Sequence, residues 1–300
     1  MVSSDVRKIR IASKFLLPPD LVESLARGVD DVSLDTHTSS LLTKLNDLQI
    51  VVEETSPPHK DETRLDAYFS HIGLDHALCR KALSAATVAV VGLGGMGSVA
   101  LQHLVTAGIR NFVLIDRDRV DASNLERQFI YSQNDIGKQK IHAAAEYISR
   151  LRPEAQVQAH NNSIFTNADV QNVCNLSAHS NICLICIDQP FEIAVRLLPR
   201  ALWERNIVSI QGGVMCQSGF FGPVRDPSRS KLFALEDWPT PHAIDLADPV
   251  GVCFPPNNTV VASLLVSQAL HHIIGANHLV EYEQRVFIDL FKWKFVHLSN

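Results

Sequence analysis

Between Thr87 and Val214 short apolar runs alternate with amphipathic stretches, an order that few folds accommodate. TVAVVG, NFVLID, VQAHNNSIF, NICLICID and IVSIQGGV are β-branched or apolar enough to be strands. GSVALQHLVTAG, KQKIHAAAEYISRLRP, NADVQNVCNLS and PFEIAVRLLPRALWERN carry helical spacing, the last in spite of Pro199. Gly108 closes the first of these helices, as the residue best able to turn left-handed after a helix, and Pro153 ends the second. Strand and helix in strict alternation specify α/β architecture: a Rossmann-like, doubly wound, mostly parallel sheet with helices on both faces.

The first strand and helix are joined by Gly92-Leu93-Gly94-Gly95-Met96-Gly97. Glycines at such a turn let phosphate oxygens approach backbone N–H groups at a helix N-terminus, where the partial positive charge favours an anion. Gly92, Gly94, Gly95 and Gly97 are therefore expected to cradle phosphate. Asp116 ends the second strand, about 20 positions beyond the last glycine, where an acid that hydrogen-bonds a ribose belongs. ATP and the dinucleotides share that ribose and adenine half. The loop alone leaves open an NAD(P)- or FAD-dependent oxidoreductase and an ATP enzyme.

The flanks add two further parts. Residues 1 to about 60 mix a strand-like IRIASKFLL with helical PDLVESLARGV and a second helical stretch around TSSLLTKLNDLQIV, and end in the polar, proline-containing ETSPPHKDET. We expect a small α+β module at 1–60 and the nucleotide-binding domain at 61–300. The stretch from about 223 to 256 is long, rich in proline and charge and without a period, as functional loops are. A helix, NTVVASLLVSQALHHIIG, follows it. RVFIDLFKWKFVHL then alternates Phe291, Trp293 and Phe295 with Lys292 and Lys294, as a half-exposed strand would.

A formal net charge of −5 offers no electrostatic footprint for nucleic acid. No apolar run approaches the roughly 20 residues of a membrane helix, and MVSSDVRKIR lacks a secretory apolar segment, so the expectation is a cytoplasmic protein without a membrane partner. The six cysteines are scattered. Cys183 and Cys186 form a Cys-x-x-Cys inside an apolar strand with no second such pair to complete a tetrahedral site, so they are read as core and no structural zinc is expected.

The segment LIDRDRVDASNLERQFIYSQNDIGKQK resolves the ambiguity of the loop. Ubiquitin-activating enzymes, ThiF and MoeB carry D-x-D-x-V-x-x-S-N-L-x-R-Q followed by D-x-G-x-x-K. The sequence resembles that pattern throughout at Asp116, Asp118, Val120, Ser123, Asn124, Leu125, Arg127, Gln128, Asp135, Gly137 and Lys140. A later family Asp-Asn is Asp188-Gln189 here, and the likeness runs from about 64 to 275. It implies an ATP-dependent adenylating enzyme that releases AMP and pyrophosphate, with Asp118, Asn124 and Gln128 joining the nucleotide site. The chemistry of the residue types agrees. A triphosphate with its metal needs cations and a carboxylate, which Arg127 as a planar fork, Lys140 as a compact charge and Asp188 as a Mg²⁺ ligand would supply. Arg64 resembles the family's arginine that reaches ATP in the neighbouring subunit, which implies a homodimer.

Two departures shape the expected substrate. The paired Cys-x-x-Cys motifs common in ThiF and MoeB are missing, and no appended catalytic-cysteine or ubiquitin-fold domain is evident; Cys216 and Cys253 are read as ordinary thiols. RLDAYFSHIG and FFGPVRDP resemble the peptide-modifying branch found in microcin C and pantocin A biosynthesis. In that branch a winged-helix-like N-terminal module binds a leader peptide by strand addition. The resemblance implies adenylation of a carboxyl group, such as a Glu or Asp side chain, on a ribosomally made precursor peptide, followed by ring closure or linkage in antibiotic biosynthesis. The competing expectations are activation of the C-terminal Gly-Gly of a ubiquitin-like or sulfur-carrier protein, an oxidoreductase, and a peptide-binding pseudoenzyme.

Overall fold

Thr87-Val-Ala-Val-Val, Asn111-Phe-Val-Leu-Ile and Ile182-Cys-Leu-Ile are each buried over four consecutive residues, the mark of strands covered on both faces. A computed structural model describes residues 9–11, 51–53, 63–229, 252 and 254–298. The chain divides into two units, Met1–Tyr68 and Phe69–Asn300, later than the expected boundary near residue 60.

In the first unit β1 (Ile9–Ile11) pairs antiparallel with β2 (Val51–Glu53), Ile9 opposite Glu53. Val51 is thus in a strand and not at the end of a helix as expected. The rest of both expected helices lies outside the described residues, as does the winged-helix-like arrangement. Helix α1 (Arg64–His71) starts on a reciprocal cap: Thr63 N–H and Oγ1 donate to Asp66 Oδ2 at 2.9 and 2.8 Å, and Asp66 N–H returns to Thr63 Oγ1 at 3.3 Å.

The second unit runs α2 (His76–Ala85), β3 (Thr87–Val91), α3 (Gly95–Ala107), β4 (Asn111–Ile115), α4 (Lys140–Leu151), β5 (Gln156–His160), α5 (Asn167–Leu176) and β6 (Ile182–Ile185). A π-helical turn at Ile193–Leu197 leads into α6 (Leu198–Glu204), then β7 (Ser209–Val214), β8 (Ser218–Phe221), α7 (Pro255–Ile273), β9 (Arg285–Asp289) and β10 (Lys294–Leu298). The strands form one sheet in the order β10-β9-β8-β7-β6-β3-β4-β5. From β5 to β7 neighbours are parallel; from β7 to β10 they are antiparallel. The chain winds outward from β3 through β4 to β5 and then returns to the other side of β3 as β6. That reversal opens a crevice at the C-terminal ends of β3 and β6, where ligands of such sheets bind.

Three stretches depart from the sequence reading. The strand expected over VQAHNNSIF stops at His160, and Asn161 to Phe165 form a loop. RVFIDLFKWKFVHL is a hairpin and not one strand. The Asp289 carboxylate accepts the N–H groups of Phe291 and Lys292 at 3.1 and 2.8 Å, an Asx turn that folds the run back, and Trp293 takes φ +54°. The helix over Pro199 does form, but its turn before the proline is π-helical, with the Leu198 N–H reaching Ile193 O. Pro199 has no N–H to return to the preceding turn, so the ladder shifts register there.

Candidate functional site

Gly92 turns the chain out of β3 at φ +92°, with its N–H on Ile115 O at 2.9 Å. A side chain here would meet Ile187 Cγ2 at 2.7 Å and Cys186 O at 2.8 Å, so the turn presses against the end of β6. Gly97 comes closer still: a Cβ would lie 1.9 Å from Gly92 O, because the first turn of α3 passes over the loop. Gly94, the N-cap of α3, supplies no side-chain cap, and the nearest atom to its missing Cβ is Gln128 Nε2 at 4.0 Å. The helix N-terminus is left open to an acceptor brought from outside.

The Asp116 carboxylate holds this loop in place. Its Oδ2 accepts the Leu93 N–H at 2.6 Å and its Oδ1 the Asp118 N–H at 2.7 Å. Tyr131, buried, donates its hydroxyl to Leu93 O at 2.9 Å, and burial together with the charges of Asp116, Asp118 and Asp135 pushes its phenol far above the usual range. It is a neutral donor at any working pH.

Lys140 opens α4 with its side chain only 7% exposed, and its Nζ donates to Asp118 Oδ2 at 3.0 Å. An ammonium carries three donors, and among the described residues Nζ makes that one bond. Two N–H donors of that ammonium remain for an acceptor brought to the site. Asn124 is buried and accepts the Asp121 N–H at 3.1 Å, closing a short cap. Arg127 is half-buried and directs Nη1 to Ser123 O at 2.8 Å and Glu126 Oε1 at 2.9 Å. Gln128, 2% exposed, keeps a buried Oε1 beside the loop without a hydrogen-bond partner among the described residues. An orphaned acceptor at such depth calls for a donor, such as water, and leaves Nε2 as the group that can meet an anion.

Beyond β3, β4 and β6 lies a cavity of about 200 Å³ lined by Gly92, Asp116, Asp118, Asp188 and the loop after β5. Asp188 is exposed, and its carboxylate takes no hydrogen bond among the described residues. Arg117 lies over the Phe165 ring at 4.0 Å to its centroid, giving this wall a flat cationic and aromatic surface. The loop that shortened β5 thus builds one side of the cavity. A nucleotide fits these residues: a flat wall for a base, Asp116 for hydroxyls, an open helix terminus and Lys140 for phosphates. The Asp188 carboxylate, unpartnered among the described residues, would also suit Mg²⁺, which keeps most of its shell in water and phosphate oxygens. Among the described residues no three His, Cys, Asp or Glu side chains gather into a metal cage.

Arg64 stands exposed at the start of α1, in the first unit, while the other expected site residues are in the second. Cys183 is fully buried in β6 and Cys186 half-buried after it; burial pushes both thiols up to about 12. Cys253 and the acids of 230–251 lie outside the described residues. The sequence reading missed Arg117, Tyr131, Phe165 and Asn258. Only Asn257-Asn258 gave a signal, a polar pair in the first turn of an otherwise apolar helix.

The family model described as "ThiF family" matches residues 65–299. Ubiquitin-like modifier-activating enzyme 5 of Caenorhabditis briggsae is 31% identical over 212 residues, which are 65% of this chain and 48% of that protein. The chain spans about half the length of the curated relatives it matches. In fold it is similar to E. coli MccB solved with ATP, at TM-score 0.73 and 22% identity over 89% of this chain and 79% of that one. It is also similar to the microcin C7 biosynthetic enzyme MccB in complex with N-formylated MccA, at TM-score 0.75 and 19% identity over 99% and 95%.

Proposed function

We propose, from the premise that this chain belongs to the ThiF family, that it is an ATP-dependent adenylating enzyme acting on a carboxyl group of a ribosomally made peptide. The convergence of Asp116 and Asp188 on one cavity at the glycine loop carries this reading. Asp116 would hold ribose hydroxyls. Lys140 and Arg127 would neutralise phosphate charge, Gln128 and the α3 N-terminus would donate to phosphate oxygens, and Asp188 would hold Mg²⁺, which when bound draws charge from the phosphates. Attack of the substrate carboxylate on the α-phosphate would give an acyl adenylate and pyrophosphate, with no side-chain nucleophile required. The protein contributes position and charge.

The likeness in fold to MccB, one structure of which contains N-formylated MccA, supports a peptide substrate. On this reading residues 1–60 receive the leader segment, 61–300 form the adenylation domain, Arg64 reaches the site of a second subunit, and ring closure or linkage follows in antibiotic biosynthesis. A second reading, activation of a protein ending in Gly-Gly, draws support from the 31% identity to the modifier-activating enzyme.

With ATP labelled at the α-phosphate, the expected products are AMP and pyrophosphate, with turnover stimulated by the precursor peptide. ADP and phosphate would overturn adenylation; stimulation by a Gly-Gly protein and by no peptide would favour the second reading. Asp188→Ala is expected to lose at least 100-fold in turnover, about the loss of one charge-stabilising group. Its melting midpoint should hold within about 2 °C, since Asp188 is exposed and contributes nothing to the core. Near-normal turnover would remove Asp188 from the site.

A further inference from the structure

Helix α7 begins Pro255-Pro256-Asn257-Asn258, and both asparagines are 6% exposed. Two prolines at the start contribute no N–H, so the polar groups this turn offers its surroundings include two side-chain carboxamides. Asn257 Nδ2 donates to Cys216 O at 2.9 Å, fixing the start of α7 to the turn between β7 and β8. Asn258 faces the glycine loop. A Cβ built on Gly95 would lie 2.8 Å from Asn258 Oδ1, 3.0 Å from its Cγ and 3.2 Å from its Nδ2, so the whole carboxamide fills the space a side chain at 95 would take. On the same loop, Gly94 has Gln128 Nε2 as its nearest neighbour, and Gln128 Oε1 is buried without a hydrogen-bond partner among the described residues.

We propose that Asn258 is a positioning residue for the phosphate loop: its carboxamide buttresses Gly95, and the glycine at 95 is required by Asn258 and not by the nucleotide. This rests on the nucleotide reading above. It separates the roles of the loop's glycines, since Gly92 serves the turn, Gly97 the crossing of α3, and Gly95 the contact with α7.

The test is a suppressor pair in the full chain, read by thermal melting with and without ATP and Mg²⁺. Gly95→Ala should lower the unliganded midpoint and abolish the ATP-induced shift. Adding Asn258→Ala, which removes the three atoms nearest that Cβ, should restore both. Asn258→Ala alone should raise the KM for ATP about fivefold, as the loss of a packing contact worth roughly 1 kcal/mol would, with the KM for peptide unchanged. The proposal is overturned if Gly95→Ala binds ATP normally. It is equally overturned if the double variant stays unable to bind ATP while Asn258→Ala alone still binds, because the nucleotide itself would then need that space. A wild-type midpoint indifferent to ATP would instead sink the nucleotide reading, while recovery of the unliganded midpoint in the double variant would still report the contact.

Discussion

Gly97 and Gly108 bound the same helix, yet they are glycines for different reasons, and substitution separates them. A methyl at Gly97 would fall 1.9 Å from Gly92 O, a backbone atom that cannot move without unmaking the turn. Gly97→Ala should therefore cost about 3 kcal/mol or more by denaturant unfolding. Gly108 has nothing within 4 Å of its missing Cβ and only a left-handed φ of +111°. Gly108→Ala should cost roughly 1–2 kcal/mol, the strain of that backbone region alone. Equal costs would mean that the crossing of α3 over the loop is mistaken. Arg225 presents the opposite situation, a residue whose removal should do no harm. It is 5% exposed, its Nε and Nη1 are buried without hydrogen-bond partners among the described residues, and burial lowers its guanidinium to about 10. Arg285, pushed down to about 9 first by burial and then by the charge of Arg225, shares the same region. Replacing an uncompensated buried charge with an apolar side chain of similar length is often neutral or stabilising. Arg225→Met is expected to keep or raise the melting midpoint, and a fall of more than about 5 °C would show that the guanidinium has a structural partner in solution.

Among the elements, those whose periodicity is local were legible in the sequence and those that depend on a turn or a neighbour were not. Strands β3, β4 and β6 are continuous apolar runs, and α3, α4 and α5 end where Gly108, Pro153 and the end of NADVQNVCNLS place them. Strand β8, Ser218–Phe221, went unread: Gly219 carries no side chain because a Cβ would meet Val261 Cγ2 at 2.5 Å, so close packing by α7 erases the pattern that marks a strand. The β9–β10 hairpin was missed because alternation of Phe291, Lys292, Trp293, Lys294 and Phe295 fits a strand as well as a turn followed by a strand. Asp289 decides between them through its two backbone bonds, so Asp289→Ala should destabilise by about 1–2 kcal/mol and Asp289→Asn by less. Equal effects from the two variants would assign the loss to charge. Of the expected site residues, Asp116 and Asp188 line the cavity and Lys140 opens α4 with its Nζ on Asp118; each follows a strand or starts a helix, positions that spacing in the sequence can mark. Asn258 and Phe165 could not be so marked, since their approach depends on how α7 and the β5–α5 loop pack.

At the scale of the whole molecule, α3 and α7 lie on one side of the sheet, and the pH dependence of stability should be set partly by histidines at the end of α7. His271 and His272 occupy its last turn, where the helix dipole alone would favour the imidazolium. Burial wins. It lowers both below the usual histidine value, with the charge of His278 lowering His271 further, while at His272 Asp226 pulls upward and Arg229 downward. His272 Nδ1 also lies 3.0 Å from the Tyr282 hydroxyl, whose own proton goes to Asn277 Oδ1 at 2.8 Å, so the ring nitrogen is the donor in that contact. The unfolded chain, with histidines near 6.5, therefore binds more protons than the folded one as pH falls through that value, and stability declines with it. Above about 6.5 the penalty is absent; below it the penalty grows until the depressed folded values are reached. The carboxylates act in a separate, lower window. Asp169 and Asp289, each held down first by a backbone N–H, from Phe165 and Lys292 respectively, contribute stability above about 3.9 that is lost only as pH falls through their lowered values. Acid titration of the melting midpoint should thus show two declines, one beginning near pH 6.5 and one below about 4. In His271→Gln combined with His272→Asn, where the asparagine keeps a polar group near the Tyr282 hydroxyl, the upper decline should flatten and the lower one remain. An upper decline of undiminished slope in that variant would place its origin elsewhere.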